Sequence, residues 1–497
     1  MRRKLALLLL CALAGCKVGP NYERPPTAVP VAYKELAGWK PGQPQDAIDR
    51  GAWWEMFGDP VLSGLEREID ISNQNLKQAE AAYRQATAIV AEARAQLFPT
   101  VTADFSATRS RGGGGSASSL RSAGSTISAR PRTSYSLQGS ASWDLDVWGR
   151  IRRVVEGDVA SAQASAADLA SARLSAQSQL ASSYFQLRQE DAQLNLLQQT
   201  IADYTRALQI TQNQYDAGIA ARSDVISAET TLKTAQAQAI AIGVQRAQLE
   251  HAIAVLVGRN PSELSIAAGT LPTKIPDVPV ALPSTLLERR PDIAAAERQM
   301  QAANAQIGVA VAGFFPDISL SALYGFVGDP LSSLITAANH VWSLGASASE
   351  VVFQGGARTA QVEASRAAYD ESVASYRQTV LAGFRQVEDE LAALRILADQ
   401  AVAESEAVAA AQQNVQILLN EYRAGIVAYT GVVTAQATAL ADQQQALAIQ
   451  ANRLIAAVTL IEAVGGGWDA SLLPKDIATP NPLIPAALFD KPASPTP

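Results

Sequence analysis

Apolar positions recur every seven residues along two stretches almost free of helix breakers, and both stretches close on the same short motif. Counting back from Tyr215 gives Leu208, Ile201, Leu194, Leu187 and Leu180. Counting back from Tyr422 gives Val415, Val408, Ala401, Leu394, Val387, Val380 and Val373. Gly149 and Tyr215 are 66 residues apart, as are Gly356 and Tyr422, and the stretches end in Tyr-Asp-Ala-Gly-Ile and Tyr-Arg-Ala-Gly-Ile. No proline falls between Pro131 and Pro261 or between Pro330 and Pro474. A helix of that length extends about 100 Å at ~1.5 Å per residue, roughly three bilayer cores. Seven residues are slightly less than two turns, so a helix that keeps such a seam covered winds left-handed around its neighbours. The pattern predicts two coiled rods, about 150–215 and 357–422. Each reverses at its tip glycine, Gly218 or Gly425, into a shorter return helix ending near Val257 or Val464.

A period of two precedes each rod. Apolar and polar residues alternate over about 100–108 and 134–146, and again over about 317–326 and 341–353. Each segment has roughly the 9 to 11 residues of a tilted transmembrane strand. After the N-terminus no run of 18 apolar residues exists, so a membrane crossing must be made by strands. Four strands cannot close a lipid-embedded barrel and open edges are not tolerated in hydrocarbon, so other copies of the chain must complete it. Three copies would supply twelve strands, although this arithmetic alone does not fix the number.

The elements fall into tandem halves, 62–259 and 288–468. Each holds a helix (about Leu62–Leu97, or from Pro291), a Phe-Pro step (Phe98-Pro99, Phe315-Pro316), two strands, a rod, a tip and a return helix. A linker, 260–287, joins them; a Pro-rich lead within 16–61 and a tail, 469–497, flank them, expected to wrap the rods or stay mobile. The expected fold is mixed α and transmembrane β. With three copies it would be a trimeric 12-stranded outer-membrane barrel, four strands per chain, continued by a long coiled α-helical periplasmic barrel.

Arg2, Arg3 and Lys4 precede an apolar run, Leu5 to Leu13, that ends in Leu-Ala-Gly-Cys16. This is the form of a secretory signal, residues 1–15, and its end resembles a bacterial lipobox. That resemblance implies cleavage before Cys16, diacylglycerol on its sulfur and an acyl group on its amino terminus; no residue pattern calls for another cofactor or a metal. Lys17 stands where aspartate would favour inner-membrane retention, which points to the outer membrane. Cys11 leaves with the signal, so the mature chain can form no internal disulfide. Removing the three signal cations takes the formal charge from −7 to −10, which argues against nucleic acid as a partner.

Further motifs carry a family resemblance. Cys16-Lys17-Val18-Gly19-Pro20-Asn21-Tyr22-Glu23-Arg24-Pro25, Trp53-Trp54 with Phe57, Asp59, Pro60 and Leu62, and Leu287-Glu288-Arg289-Arg290-Pro291-Asp292-Ile293 are three of them. Ala305-Gln306-Ile307-Gly308 and Gly465-Gly466-Gly467-Trp468 complete the set. Together they resemble the outer-membrane factor family of TolC-like efflux ducts, in its OprM/NodT lipoprotein branch. The resemblance implies a homotrimeric duct that receives substrate from a periplasmic adaptor and an inner-membrane resistance-nodulation-division transporter. It also implies that the tips, with Tyr215, Gly218, Ile219, Arg222, Asp224, Tyr422, Gly425 and Ile426, form the periplasmic mouth where the adaptor docks. Relatives narrow that mouth with a hydrophobic ring and with an aspartate and an arginine about one and two turns into the second return helix; here the matching positions are Thr430, Thr434 and Ala437. The candidate constriction is therefore Tyr422, Tyr429, Thr430 and Thr434, with Arg222 and Asp224 beyond the first tip.

Pro291 and Asp292 suit the first turn of a helix, which makes Arg289 and Arg290 structural. Signals for catalysis are weak. His251 and His340 have no partner at ligand spacing, Asp144 and Asp146 read as lumen-lining carboxylates, and Gly112–Gly115 lacks a phosphate-loop lysine. The loop 109–132 carries Arg109, Arg111, Arg121, Arg130 and Arg132 among Gly and Ser; it reads as a solvated outward loop, or one that contacts outer-membrane lipid. A protein-secretion duct of the type I class shares the fold expected here, and a structural outer-membrane lipoprotein could share the rods; the lipobox and Arg289-Arg290-Pro291-Asp292 point to efflux.

Overall fold

The rods are where the heptads place them. In the computed structural model, which describes residues 17–27, 29–30, 32–35, 52–111, 131–278, 283–475 and 477, eight helices alternate with four strands. The first repeat comprises α1 (Pro60–Ser72), α2 (Gln74–Ala95), β1 (Thr100–Ser110), β2 (Arg132–Leu145), α3 (Arg150–Asp216) and α4 (Arg222–Leu256). The second comprises α5 (Pro283–Arg289), α6 (Pro291–Ala312), β3 (Asp317–Gly328), β4 (His340–Ser349), α7 (Ala357–Arg423) and α8 (Tyr429–Ala463). Corresponding helices match in length: both rods have 67 residues, both return helices 35, and α2 and α6 each 22.

Each rod is flanked by two shorter helices stacked end to end. Rod α3 packs on α4 toward its tip and on α2 and α6 toward the strands, while α7 packs on α8 and α6. Helix α6 thus lies between the rods, and α8 contacts α3 as well. The stacks are joined by matching contacts. Asn73, the N-cap of α2, donates from Nδ2 to Leu256 O at the end of α4 (2.6 Å), and Arg290, the N-cap of α6, donates to Ala463 O at the end of α8 (2.9 Å). These are carbonyls that a helix C-terminus leaves without an intrahelical donor. Arg290 also grips Asp292 Oδ2 at 2.6 Å, so it is structural, as expected. The single helix expected over Leu62–Leu97 is in fact two. Asn73 breaks it with extended backbone, and its side chain accepts from Leu76 N (2.9 Å) to start α2.

Alanine and branched aliphatic residues fill the seams. Leu180, Leu187, Val380 and Val387 are fully buried, whereas Leu208 and Val415, nearer the tips, are half-buried. Helix α8 is apolar and long enough to cross a membrane by composition, but half of its apolar window is buried within the chain, so its hydrophobicity serves packing. Around the level of the stack junctions the lead and linker form a belt. Tyr33, Ile266, Leu271 and Val278 are buried in the main core, and Arg188 donates to Ala267 O (2.8 Å). At the strand end Arg153, itself fully buried, donates to Val18 O, Gly19 O and Asn21 Oδ1 at 3.0–3.1 Å. The described lead and linker segments therefore wrap the rods, one of the two outcomes expected. Arg153→Ala is expected to free the lead and raise its cleavage by added protease several-fold; unchanged cleavage would show that other contacts hold it.

Glu66 on α1 is fully buried and neither carboxylate oxygen has a hydrogen-bond partner. Burial, helped by the charge of Asp70, pushes its pKa well above the usual carboxylate range. The folded chain holds that proton while the unfolded chain releases it above its ordinary pKa. Stability therefore falls as pH rises from the unfolded value toward the folded one, by about 1.4 kcal/mol per pH unit. Glu66→Gln should remove this slope. Unfolding midpoints of both proteins at pH 5 and pH 7.5 test it, and parallel changes would contradict it.

The strands form one antiparallel sheet in the order β1-β2-β3-β4. Register puts apolar side chains opposite one another, as in Phe105↔Leu137, Leu137↔Phe326 and Tyr324↔Trp342. The other face carries hydroxyl pairs: Thr102–Ser140 (2.7 Å), Ser106–Ser136 (2.8 Å) and Ser319–Ser347 (2.8 Å). Two expectations need correction. The fourth strand stops at Ser349 rather than 353, leaving Val352 94% and Phe353 88% exposed. Asp146 does not share a strand face with Asp144: it lies past Leu145 and caps α3, accepting from Ile151 N (2.8 Å) and Arg152 N (2.9 Å). His340 packs its ring against Tyr324 at 4.7 Å.

Candidate functional site

Both tips are built alike. The rods end in glycines of identical left-handed conformation, Gly218 and Gly425 at φ +74°, where a side chain would be strained. Gly218 N donates to Tyr215 O (2.8 Å) and Ile219 N to Gln214 O (2.9 Å); Gly425 N donates to Tyr422 O (2.9 Å) and Ile426 N to Glu421 O (2.9 Å). This closure satisfies carbonyls at the end of a rod and turns the chain into its return helix. It leaves Ile219 and Ile426 both 72% exposed at the extremity.

The tyrosines that end the rods differ. Tyr215 is 37% exposed, whereas Tyr422 is buried against Tyr429, ring centroids 5.0 Å apart. Ala228 of α4 and Val432 of α8 are buried with the pair, and Leu208 of α3 packs against it. Four helices thus meet there, one rod and one return helix from each repeat. Burial raises both phenol pKa values, that of Tyr429 to about 12, and the charge of Asp224 adds to the effect while Thr211 of α3 offsets part of it. Tyr422 Oη is buried without a partner of hydrogen-bonding geometry. The structure therefore brings Tyr422 and Tyr429 together as a buried fastening between the repeats, with the partly exposed Asp224 near enough for its charge to act on both.

That arrangement corrects the expected constriction. Tyr422 and Tyr429 are packed inside the chain, while Thr430, Thr434 and Ala437 are exposed, and Thr434 Oγ1 donates to Thr430 O at 3.0 Å. Of the four candidate constriction residues the two threonines are exposed and the two tyrosines buried. Arg222 is exposed at the start of α4. Thr211, Ala228 and Val432 were not apparent in the sequence. Their signal is positional, since each stands within about three turns of a tip glycine. Cys16 lies outside the described residues, as do Arg121, Arg130 and the tail from 478. Among the described residues no group of His, Cys, Asp and Glu could hold a metal ion.

Long paired helices below a sheet with two open edges and an apolar face define a membrane-anchored conduit class. The outer membrane efflux protein family matches residues 67–259 and 282–466, and the chain belongs to that family. It is 30% identical to the toluene efflux pump outer membrane protein TtgF of Pseudomonas putida over 94% of this chain and 97% of the relative. It is 28% identical to the cation efflux system protein CusC of Escherichia coli, over 93% and 98% of the two chains. Among solved structures, the outer-membrane channel OprN superposes with a TM-score of 0.83 at 30% identity, covering 91% of this chain and all of that one. The chain is an outer-membrane channel of an efflux system, extending into the periplasm.

Proposed function

We propose that three copies of this chain form a passive duct. It would take toxic small molecules from an inner-membrane pump of the resistance-nodulation-division class, through a periplasmic adaptor, to the exterior. The observation that carries this is the sheet: β1 and β4 are unpaired at its edges, yet the strands have the length and alternation of membrane strands and continue into rods about 100 Å long. Open edges in hydrocarbon require completion by further copies. The repeats that relate α3 to α7 make each copy two near-equal staves of a tube. The exposed tips, with Ile219, Ile426 and Arg222, are the surface offered to the adaptor.

Cys16 is proposed as the acylated anchor. The position of its neighbour supports this: Lys17 pairs with Glu156 in the first turns of α3, and Val18 N donates to Trp148 O (3.1 Å) where β2 passes into the rod. A lipid one residue earlier would enter the inner leaflet of the outer membrane beside the base of the sheet.

A deletion strain should accumulate dyes, solvents or other toxic compounds and regain resistance when the wild-type gene is restored. Loss of a secreted protein with unchanged resistance would oppose the proposal. Within the mouth, Thr434→Trp should lower single-channel conductance if the exposed threonines line the constriction. An unchanged conductance would remove Thr434 from it.

A further inference from the structure

The apolar face of the sheet ends in charge. On β1 that face carries Val101, Ala103, Phe105 and Ala107, and the next position of the alternation is Arg109. The register extends the face across β2 and β3 in rows such as Phe105, Leu137 and Phe326. Among the strand residues on it, Arg109 is the one Asp, Glu, Lys or Arg. The strand carboxylates Asp104, Asp144 and Asp317 all stand at the alternate positions, on the hydroxyl face.

Height along the sheet fixes where that charge stands. Arg109 faces Thr133, and Thr133 lies ten residues before Trp143 on the same face of β2. Ten strand residues rise about 34 Å, which a barrel tilt of about 35–45° turns into roughly 24–28 Å of height. The apolar band of a membrane barrel is about 25 Å tall, with aromatic residues at its edges. Trp143 marks the lower edge, since its indole Nε1 donates to Leu97 O (3.0 Å) just past α2, where the sheet meets the helices. Arg109 therefore stands at the upper edge, on the side away from the rods and the periplasm, at the level of the outer-leaflet head groups.

We infer that Arg109, with Arg111, binds the phosphate groups of outer-leaflet lipid against the rim of the sheet. Arg111 stands two positions further along the chain, and both side chains are exposed. Neither makes an ion pair with a carboxylate among the described residues, whereas Arg132, at the same end but on the hydroxyl face, pairs with Asp329 at 3.5 Å. The chain thus neutralises the cation that faces the interior and leaves the lipid-facing pair without a counter-charge. A guanidinium at the edge of hydrocarbon gains most from an anion, and its planar fork matches two phosphate oxygens through charge-assisted hydrogen bonds. The arginine stem is apolar, so it can lie against the band while the head reaches the head-group layer. The inference goes beyond the duct reading: it needs the sheet in the outer membrane, and it is independent of the number of copies.

Native mass spectrometry of the purified full-length protein in detergent tests this, with the phosphorylated glycolipid lipid A as the probe. The wild type should retain phosphorylated lipid A several-fold more than Arg109→Gln/Arg111→Gln does, and both should retain the dephosphorylated lipid equally weakly. Arg109→Lys/Arg111→Lys should keep part of the preference, because the charge remains without the fork. Arg132→Gln, on the other face, should behave as the wild type. Equal retention of the phosphorylated lipid by the wild type and the double glutamine variant would overturn the proposal, and so would a lysine variant no better than the glutamine one. A loss as large in Arg132→Gln would show that total charge at the rim is read rather than the lipid face, which also overturns it. Inorganic phosphate in large excess should leave the lipid bound; displacement by it would mean a site for free anions and not for lipid.

Discussion

Gly465→Ala is expected to lower stability by about 3 kcal/mol or more, enough to reduce the yield of folded protein. Gly465 has φ +98°, and a Cβ there would lie 2.0 Å from Arg289 O, a backbone atom that cannot step aside without moving the start of α6. Gly258 repeats the situation at φ +69°, with a Cβ 2.1 Å from Ser72 O. Both glycines sit just past a return helix, where the next stacked helix begins, so a side chain would wedge the stack apart. Gly218→Ala provides the comparison. Its φ is +74°, but nothing lies within 4 Å of the added atom, so backbone strain of about 1–2 kcal/mol is the whole expected cost. Denaturant midpoints of the three variants in detergent would check the order. Equal losses at Gly465 and Gly218 would mean that the junction yields more easily than its geometry shows.

Asp191→Ala is expected to cost about 3–5 kcal/mol. Its carboxylate, 1% exposed, accepts from Arg188 (2.9 Å), Arg246 (2.8 Å) and the backbone N–H of Gly269 (3.0 Å). Without it Arg188, 5% exposed, keeps a buried charge supported by Tyr184, through its Oη and its ring face, and by Ala267 O. The linker would lose one of the contacts that hold it to α3. Replacing Arg188 by methionine in the same chain should recover a large part of the loss, because the uncompensated charge goes with it. A double variant no better than Asp191→Ala alone would show that linker packing, rather than the charge, sets the cost.

The rods, strands and tips were legible because each depends on short-range pattern. A seven-residue seam, an alternation of two and a glycine after a tyrosine specify local structure before any tertiary contact forms. The break at Asn73 was not legible. Apolar residues continue across it from Leu65 and Ile69 to Leu76, and no proline or glycine interrupts them. What breaks the helix is the end of α4, 183 residues away, whose carbonyl takes the Asn73 amide. The end of β4 was missed for a related reason, since alternation marks where a strand can form and pairing decides where it does. The burial of Tyr422 and Tyr429 needed four helices to converge. From sequence they are aromatic residues near a rod tip; in the fold they pack between the repeats, and Thr430 and Thr434 stay exposed.

A lipid bilayer offers the most direct test of the central claim, that this chain assembles into a conduit. Purified full-length protein reconstituted in planar bilayers should give uniform, discrete conductance steps. The Tyr422→Ala/Tyr429→Ala variant, with its buried fastening removed, should open to a several-fold larger step. Protein that inserts and stays folded yet leaves the bilayer electrically silent in both forms would contradict the account.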